Sequence, residues 1–197
     1  MEYIMHIFTI VTCILSLGSI CEAGIADLVA PKKKIEIHDF RTELCDTDHT
    51  QDRLSLNNIR VFTKDNGDLG LSGDVNTTTF LYAPFKVRVT MKRKILGVYV
   101  KMPCVKDFGS CTYDDLCQYG YGTFSQCPPS FFLRRTPCRC PIDEGVYSIP
   151  EDVHVPMEDT RWAGIAKGSY RAKVHFIHKD REIACYLAYF RLKSKDE

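Results

Sequence analysis

The spacing of the cysteines constrains this chain more than any other feature of its sequence. The chain has ten cysteines, and six of them fall in the segment from Cys104 to Cys140. This segment reads CVKDFGSCTYDDLCQYGYGTFSQCPPSFFLRRTPCRC. Cysteines at this density are metal ligands in a reducing compartment and form disulfides in an oxidising one. Their interpretation therefore depends on where the protein resides.

The N-terminus indicates the compartment. Residues 7–20 form an uninterrupted, weakly polar to apolar run, which ends at a cleavage-site pattern over residues 21–23. Together they predict a secretory signal peptide comprising residues 1–23. The run is shorter than the roughly 20 residues that crossing a hydrocarbon core requires. We therefore expect a soluble protein of the secretory pathway, with one domain over residues 24–197.

Removal of the signal peptide changes the cysteine count and the charge. Cys13 and Cys21 leave with it, so eight cysteines remain and four disulfides are expected. Spacing alone cannot choose among the roughly 105 pairings of eight cysteines. Loss of Glu2 and Glu22 raises the formal net charge of +1 by two. So mild a positive charge, without a dominant basic stripe, argues against nucleic acid as a partner and is compatible with weak attraction to anionic lipid.

Alternating apolar and polar residues predict a β-protein. The stretch PFKVRVTMK places Phe85 and every second residue after it on one face, and the segment from Val98 to Met102 alternates in the same way. Residues 171–176 alternate before a turn at residues 179–181, which predicts a hairpin with the last strand, IACYLAYF. That strand is apolar on both faces, so we expect it in the centre of a sheet. The segments LSLNNIRVF and TTFLYA predict further strands.

The fold that these segments predict is an antiparallel β-sandwich or β-cup. One short helix is expected to begin with Thr112 as N-cap and Asp115 at N3, and to end near Gly120. The apolar face of the strands predicts an interior that either packs on itself or lines a cavity. We assign to this interior Val87, Val89, Val98, Val100, Val174, Phe176 and Leu187.

Two chemical sites compete with disulfides as explanations of the cysteine-rich segment. A zinc site needs two closely spaced ligand pairs, and Cys138-Arg139-Cys140 supplies only one. A calcium phospholipase would explain the glycine-rich YGYGTF and the pair Asp114-Asp115. That chemistry needs a general base, usually histidine, and none occurs between His49 and His154. We therefore predict no catalytic residue, no metal and no cofactor.

Three runs in the C-terminal half carry a family resemblance. KMPCVKDFGSCTYDDLC, CPPSFFLRRTPCRCPIDEGVYSIP and GSYRAKVHFIHKDREIACYLAYF resemble the ganglioside GM2 activators, lysosomal lipid-transfer proteins of the lipid-recognition class. The similarity is strongest from Val98 onward and includes the order of all eight mature cysteines. It implies a β-cup that holds acyl chains. It also implies the pairs Cys45–Cys185, Cys104–Cys111, Cys117–Cys140 and Cys127–Cys138.

The resemblance implies a rim of residues around the mouth of the cup that contacts membranes. We place Trp162, Ala163 and Ile165 there, since an indole ring favours a membrane interface. Tyr99 falls where the family carries another tryptophan at the mouth. Phe131 and Phe132 either extend this rim or pack locally beneath the disulfides, and the sequence leaves both readings open.

The function implied is extraction of a glycolipid, which is then presented to a lysosomal glycosidase such as β-hexosaminidase. The protein would thus be an enzyme activator with a glycolipid or phospholipid ligand and peripheral membrane contact. The alternative is a secreted lipid carrier, or a lipid-sensing recognition protein, without a hydrolase partner. Asn76-Thr77-Thr78 is a predicted N-glycosylation site. His154, His175 and His178 could make binding or release depend on pH.

Overall fold

We describe the protein from a computed structural model. The described residues are 35–45, 52–105, 107–119, 126–155 and 167–194. The predicted signal peptide lies outside them, as do Trp162, Ala163 and Ile165. The predictions for these residues therefore stay predictions.

The described chain forms two antiparallel sheets, as the alternation predicted. The first sheet has the order β1-β10-β9-β4-β5, with β6 pairing beside β4, and the second has the order β2-β3-β7, with β8 pairing beside β3. The strands are β1 Ile35–Leu44, β2 Leu54–Thr63, β3 Leu69–Thr77, β4 Phe85–Ile95, β5 Val98–Lys101, β6 Thr112–Tyr113, β7 Gly145–Ile149, β8 His154–Val155, β9 Gly168–His178 and β10 Arg181–Ser194.

The predicted C-terminal hairpin is confirmed. β9 and β10 are joined at Lys179 and Asp180, whose φ angles are 53° and 58°. Two consecutive left-handed residues form the type I′ turn that matches the twist of a hairpin. β10 then lies between β9 and β1, which is the central position that its two apolar faces predicted.

One apolar cluster joins the two sheets at one end of the fold. Phe85, Ala184 and Tyr186 from the first sheet pack with Leu54, and Leu56 and Val75 of the second sheet lie against them. The Leu56 N–H also donates a hydrogen bond of 2.8 Å to the Tyr186 hydroxyl. Burial raises the pKa of that hydroxyl, so it remains a neutral acceptor at physiological pH. This end of the fold is therefore closed by packing and by a polar contact.

A second cluster lies toward the other end of the first sheet. Its buried members are Met91, Tyr170, Ala172 and Leu192, and the partly buried residues around it come from the same sheet, with Met102 and Phe108 in addition. No described residue of the second sheet belongs to this cluster. The two inner faces therefore share a core at one end only.

The described chain contains four disulfides, and they join the pairs that the resemblance implies: Cys45–Cys185, Cys104–Cys111, Cys117–Cys140 and Cys127–Cys138. The first pair ties the segment after β1 to the central strand across 140 residues. The other three lie in and around loops with few backbone ladders. Crosslinks of this kind restrict the unfolded chain and typically stabilise a fold by about 2–4 kcal/mol each.

The predicted helix at Thr112 is wrong in its start and its type. Thr112–Tyr113 is a short strand, because its backbone pairs with Val87 and Arg88 of β4. A 3₁₀ turn follows at Leu116–Tyr119. Asp115, and not Thr112, caps it: the carboxylate accepts 3.1 Å hydrogen bonds from the N–H groups of Cys117 and Phe85.

Two further elements differ from the prediction. A short helix, α1, spans Pro129–Leu133 and begins with a proline, which suits the first turn because its missing N–H has no helical partner there. TTFLYA is not a strand: β3 ends at Thr77, and only Leu81 bridges to Ile142. No helix in the described residues has the length and hydrophobicity needed to cross a bilayer.

His178 lies buried at the closed end of the fold. Its ring meets those of Tyr82 and Phe85 edge-on, at centroid distances of 4.8 and 6.3 Å. Nε2 is buried and has no hydrogen-bond partner among the described residues. Burial lowers the pKa of His178, and the charge of Lys179 lowers it further. The folded state thus holds this imidazole neutral.

We expect this histidine to make stability fall in acid. As pH drops below about 6.5, the unfolded chain gains a proton that the folded chain resists, so each pH unit removes up to about 1.4 kcal/mol until the folded pKa is reached. Urea unfolding between pH 7.5 and 4.5 should show this slope, and His178→Phe should reduce it. His38→Gln, a more exposed histidine on β1, is the control. An unchanged slope in His178→Phe would contradict the assignment.

Candidate functional site

The inner face of the first sheet is an apolar surface that is only partly covered. Register places Val89 opposite Val174, and Ala172 opposite Ala188, on this face. Farther along, the rings of Tyr170 and Phe190 stack with centroids 5.2 Å apart. Of these residues, Val89, Val174, Ala188 and Phe190 are partly buried. Apolar side chains thus remain accessible on the inside of the fold.

The second sheet contributes a smaller apolar inner face. Val75 packs into the shared cluster, and β3 alternates from it through Gly73 to Leu71. Leu71 pairs with Val61 of β2, and both are partly buried. The second apolar cluster takes no described residue from this sheet, so among the described residues the two inner faces share packed side chains in the first cluster alone. Such an interior can bind an apolar ligand without using any catalytic group.

Four of the predicted interior residues lie on the inner face. Val87 is buried, and Val89, Val174 and Phe176 are partly buried and pack against the two clusters. This placement agrees with the prediction that β4 and β9 turn these residues inward. Whether they touch a ligand stays a prediction.

The structure places the three other predicted interior residues outside the packed core. Val98 and Val100 are 66% and 47% exposed, because β5 is an edge strand whose inner face has no neighbour on one side. Leu187 lies on the outer face, since it pairs with Lys173 of β9 and Glu43 of β1. A strand that is apolar on both faces does not reveal from its sequence which face is the inner one.

The predicted rim residues within the described chain separate into three cases. Tyr99 lies on the outer face of β5, where the guanidinium of Arg171 sits 5.2 Å from its ring centroid. Phe131 is the buried residue of α1 at 8% exposed, which favours local packing over a place in the rim. Phe132 is 71% exposed, so a place in the rim stays a prediction for it.

The turn between β4 and β5 is the most exposed apolar feature of the described chain, and sequence analysis missed it. Leu96 and Gly97 form a two-residue turn with φ angles of 48° and 89°. Leu96 is fully exposed, and Ile95 and Val98 beside it are exposed as well. Three lysines lie close to this tip on the outer face of the hairpin: Lys92, Lys94 and Lys101. The sequence does contain a pattern that predicts this tip: an apolar pair, Ile95-Leu96, precedes Gly97 within the basic run MKRKILGVYVK.

The tip lies at the end of the fold away from the shared cluster. Arg93, near the end of β4, pairs with Tyr170 near the start of β9 and donates a 2.8 Å hydrogen bond to the Lys167 carbonyl. The second sheet reaches the same end, because the Ile37 N–H of β1 bonds the Thr63 hydroxyl at the end of β2. The exposed tip therefore lies at the end of the fold where the described inner faces share no apolar cluster.

One described cluster has the composition of a metal site. His175, Glu182 and Cys185 bring three potential ligand atoms within 4.8 Å of one another. The Cys185 sulfur is bonded to Cys45, so it cannot act as a thiolate ligand. The His175 Nδ1 and Glu182 Oε2 atoms, 2.6 Å apart, instead form a pair on the outer face. The disulfide and the His175–Glu182 pair account for the positions of these three side chains without a metal ion.

Asn76 lies on the outer face of β3. It pairs with Ser55 and with Val146, and Val146 is 72% exposed. The Asn76 side chain is partly buried. Glycosylation at this position stays a prediction.

Comparison with known proteins gives the family. A sequence model of the ML domain matches residues 39–192. The ganglioside GM2 activator of Mus musculus is 28% identical over 192 residues, which cover 92% of this chain and 97% of that protein. The ganglioside GM2 activator of Macaca fascicularis is 29% identical over 124 residues, covering 60% and 64%. A crystal structure of a Niemann-Pick type C2 protein from Japanese carpenter ant matches 80% of this chain and 92% of that chain, at 15% identity and with a TM-score of 0.28. On the match of the domain model, this chain belongs to the ML domain family.

Proposed function

We propose that this protein is a non-enzymatic lipid-binding and lipid-transfer protein that extracts glycolipids, of the ganglioside type, from membranes. One observation carries the proposal: apolar side chains on the inner face of the first sheet are only partly covered, and an exposed apolar tip lies at the same end of this sheet. The names of the similar mammalian proteins support the glycolipid class. Acyl chains are the ligand, and the sugar remains outside.

The energetics of extraction require such an interior. Each CH₂ group that leaves the bilayer for water costs about 0.8 kcal/mol, so a chain of lipid length cannot leave unaided. Val89, Val174, Ala188 and Phe190 offer an apolar surface that replaces the bilayer. The transfer then becomes nearly neutral in free energy, which suits a carrier that must both load and release.

The β4–β5 tip is the element that we propose to enter the membrane. Leu96 has positive φ, which is unfavourable for a bulky side chain, and its side chain is fully exposed. A residue that combines backbone strain with apolar exposure points to a functional role. Lys92, Lys94 and Lys101 would meet anionic headgroups, at about 1 kcal/mol for each charge near the surface.

We further propose that the extracted glycolipid is presented to a lysosomal glycosidase such as β-hexosaminidase. A sugar close to a bilayer is hard for a bulky hydrolase to reach, and a carrier that lifts the lipid removes this obstacle. The protein acts here as an activator and supplies no catalytic group. A predicted signal peptide and four disulfides support a secretory route to the lysosome or the cell exterior.

The alternative is a secreted lipid carrier, or a lipid-sensing recognition protein, without a hydrolase partner. The same interior and the same tip serve it equally well. The two functions differ only in what receives the lipid.

Transfer of a fluorescent ganglioside between vesicles, at pH 4.5 and 7.5, separates these possibilities. We expect the protein to accelerate transfer and, when β-hexosaminidase is added, to increase sugar release from vesicle-bound ganglioside. Acceleration without added sugar release would favour the carrier. Release of fatty acid from phospholipid by the protein alone would contradict a non-enzymatic role.

Charge placed at the tip should impair membrane contact. We expect Leu96→Asp to slow ganglioside extraction at least tenfold, because a carboxylate at this position costs more than 1.4 kcal/mol when it enters the interface. Vesicle co-sedimentation should weaken in parallel. Val146→Asp, at an exposed valine of the second sheet, is the matched control, and Phe132→Asp asks whether α1 also touches the membrane. Equal transfer by Leu96→Asp and wild type would refute the role of the tip.

Filling the interior should reduce lipid occupancy. Ala188→Phe adds a ring on the inner face of β10, and we expect bound lipid in native mass spectra to fall at least about fivefold, the equivalent of 1 kcal/mol. Leu187→Phe adds bulk one residue earlier, on the outer face, and should leave lipid occupancy intact. Circular dichroism checks that both variants fold. If the two variants lose lipid equally, the inner face is not the binding surface.

A further inference from the structure

A polar pocket of about 370 Å³ lies on the second sheet. Ser72 and Asp74 of β3 and Ser148 of β7 line it. These residues alternate with Val75, which faces the shared apolar cluster, so their side chains project to the outer face of the sheet. Its volume is within the range of pockets that hold small molecules.

A β-bulge creates this concavity. The register between β2 and β3 shifts between Asn57 and Arg60, and Asn58 has a φ of 52°. The partner strand accommodates the bulge with Gly73, whose φ is 144°. A Cβ on Gly73 would lie 2.6 Å from the Ile59 Cδ1 and 2.9 Å from its Cα. Bulges commonly re-aim side chains next to functional sites, and here the bulge turns Arg60 into the pocket wall.

The wall carries two guanidinium groups and two carboxylates. Arg60 Nη2 donates to Glu151 Oε1 at 2.8 Å, and Ser148 Oγ donates to Asp74 Oδ1 at 2.6 Å. Arg134, which follows α1, brings the second guanidinium. Positive and negative charges therefore balance. Neither a simple anion nor a simple cation is favoured by this arrangement.

The floor and sides add features that suit a polyhydroxylated ligand. Ser72 is buried, and its hydroxyl has no hydrogen-bond partner among the described residues. Buried hydroxyls usually have one, and a ligand hydroxyl could supply it once Ser72 turns about χ1. Ile59 and Ile149 also line the pocket and are its apolar residues. Fixed donors, fixed acceptors and an apolar side match a sugar ring, whose hydroxyls both donate and accept and whose C–H face is apolar.

We propose that this pocket binds a neutral saccharide. The sugar can come from two sources with the same chemistry: a glycan attached at Asn76, or a saccharide of another molecule. Asn76 lies on the same face of β3 as Asp74 and two residues away, a separation of about 7 Å. The side chains of Asp74 and Ser148 project to the outer face, so saccharide binding at this pocket can be tested independently of lipid transfer.

Saturation-transfer NMR with methyl glycosides of N-acetylglucosamine and of galactose tests the proposal. The protein is used oxidised and without glycan, as the Asn76→Gln variant. We expect saturable binding of at least one glycoside, weakened about tenfold by Asp74→Asn and by Arg134→Ala. Arg191→Ala removes an arginine paired with Asp39 on the first sheet and should leave binding unchanged. Lipid transfer should be unchanged in all of these variants.

Three results would overturn the proposal: no binding of either glycoside, binding that neither pocket variant weakens, or tighter binding of inorganic phosphate than of both glycosides. Glycosylated wild-type protein then identifies the source. Glycoside binding that appears only after enzymatic removal of the glycan assigns the pocket to the Asn76 glycan. Equal binding before and after removal assigns it to a saccharide of another molecule.

Discussion

The packing of the two sheets at one end is the constraint on which the rest of this structure depends. Leu54, Phe85, Ala184 and Tyr186 close that end, and the hydrogen bond from the Leu56 N–H to the Tyr186 hydroxyl fixes the distance between the sheets. Because the inner faces share their packed residues there, apolar side chains elsewhere on the first sheet can stay partly uncovered without loss of the fold. An interior that is shared along its whole length would have no room for a ligand.

The four disulfides are also unevenly placed: one lies beside the shared cluster, and three lie in the region from Cys104 to Cys140. Cys45–Cys185 holds the segment after β1 against the central strand, beside the residues that close the fold. The other three restrain the region from Cys104 to Cys140, whose described residues form the short elements β6, one 3₁₀ turn and α1. Crosslinks thus stabilise the segments that hydrophobic packing reaches least. Because these crosslinks stabilise the fold, the apolar inner faces do not need to be fully covered by other side chains.

The sequence predicts the strands better than it predicts the site, for physical reasons. Period-two alternation identifies β4 and β9, and their inner residues Val87 and Val174 follow from it. It fails at Leu187, where both faces are apolar, and at Val98, where burial depends on a neighbouring strand that an edge lacks. Thr112 fails for another reason. Its sequence has the pattern of a helix cap, but its backbone pairs with β4 and therefore forms a strand. Strand alternation and local turns can be predicted from neighbouring residues. The burial of a side chain by segments that are distant in the sequence cannot.

The turn at Leu96 and Gly97 has a consequence for the behaviour of the protein in solution. A fully exposed leucine in a hairpin turn favours self-association where no bilayer is present, because two tips that meet can bury each other. The lysines around it oppose this, since like charges repel at the short separation that pairing requires. Colloidal stability and membrane affinity are therefore set by the same few side chains. High salt, which screens the repulsion, would favour self-association in storage.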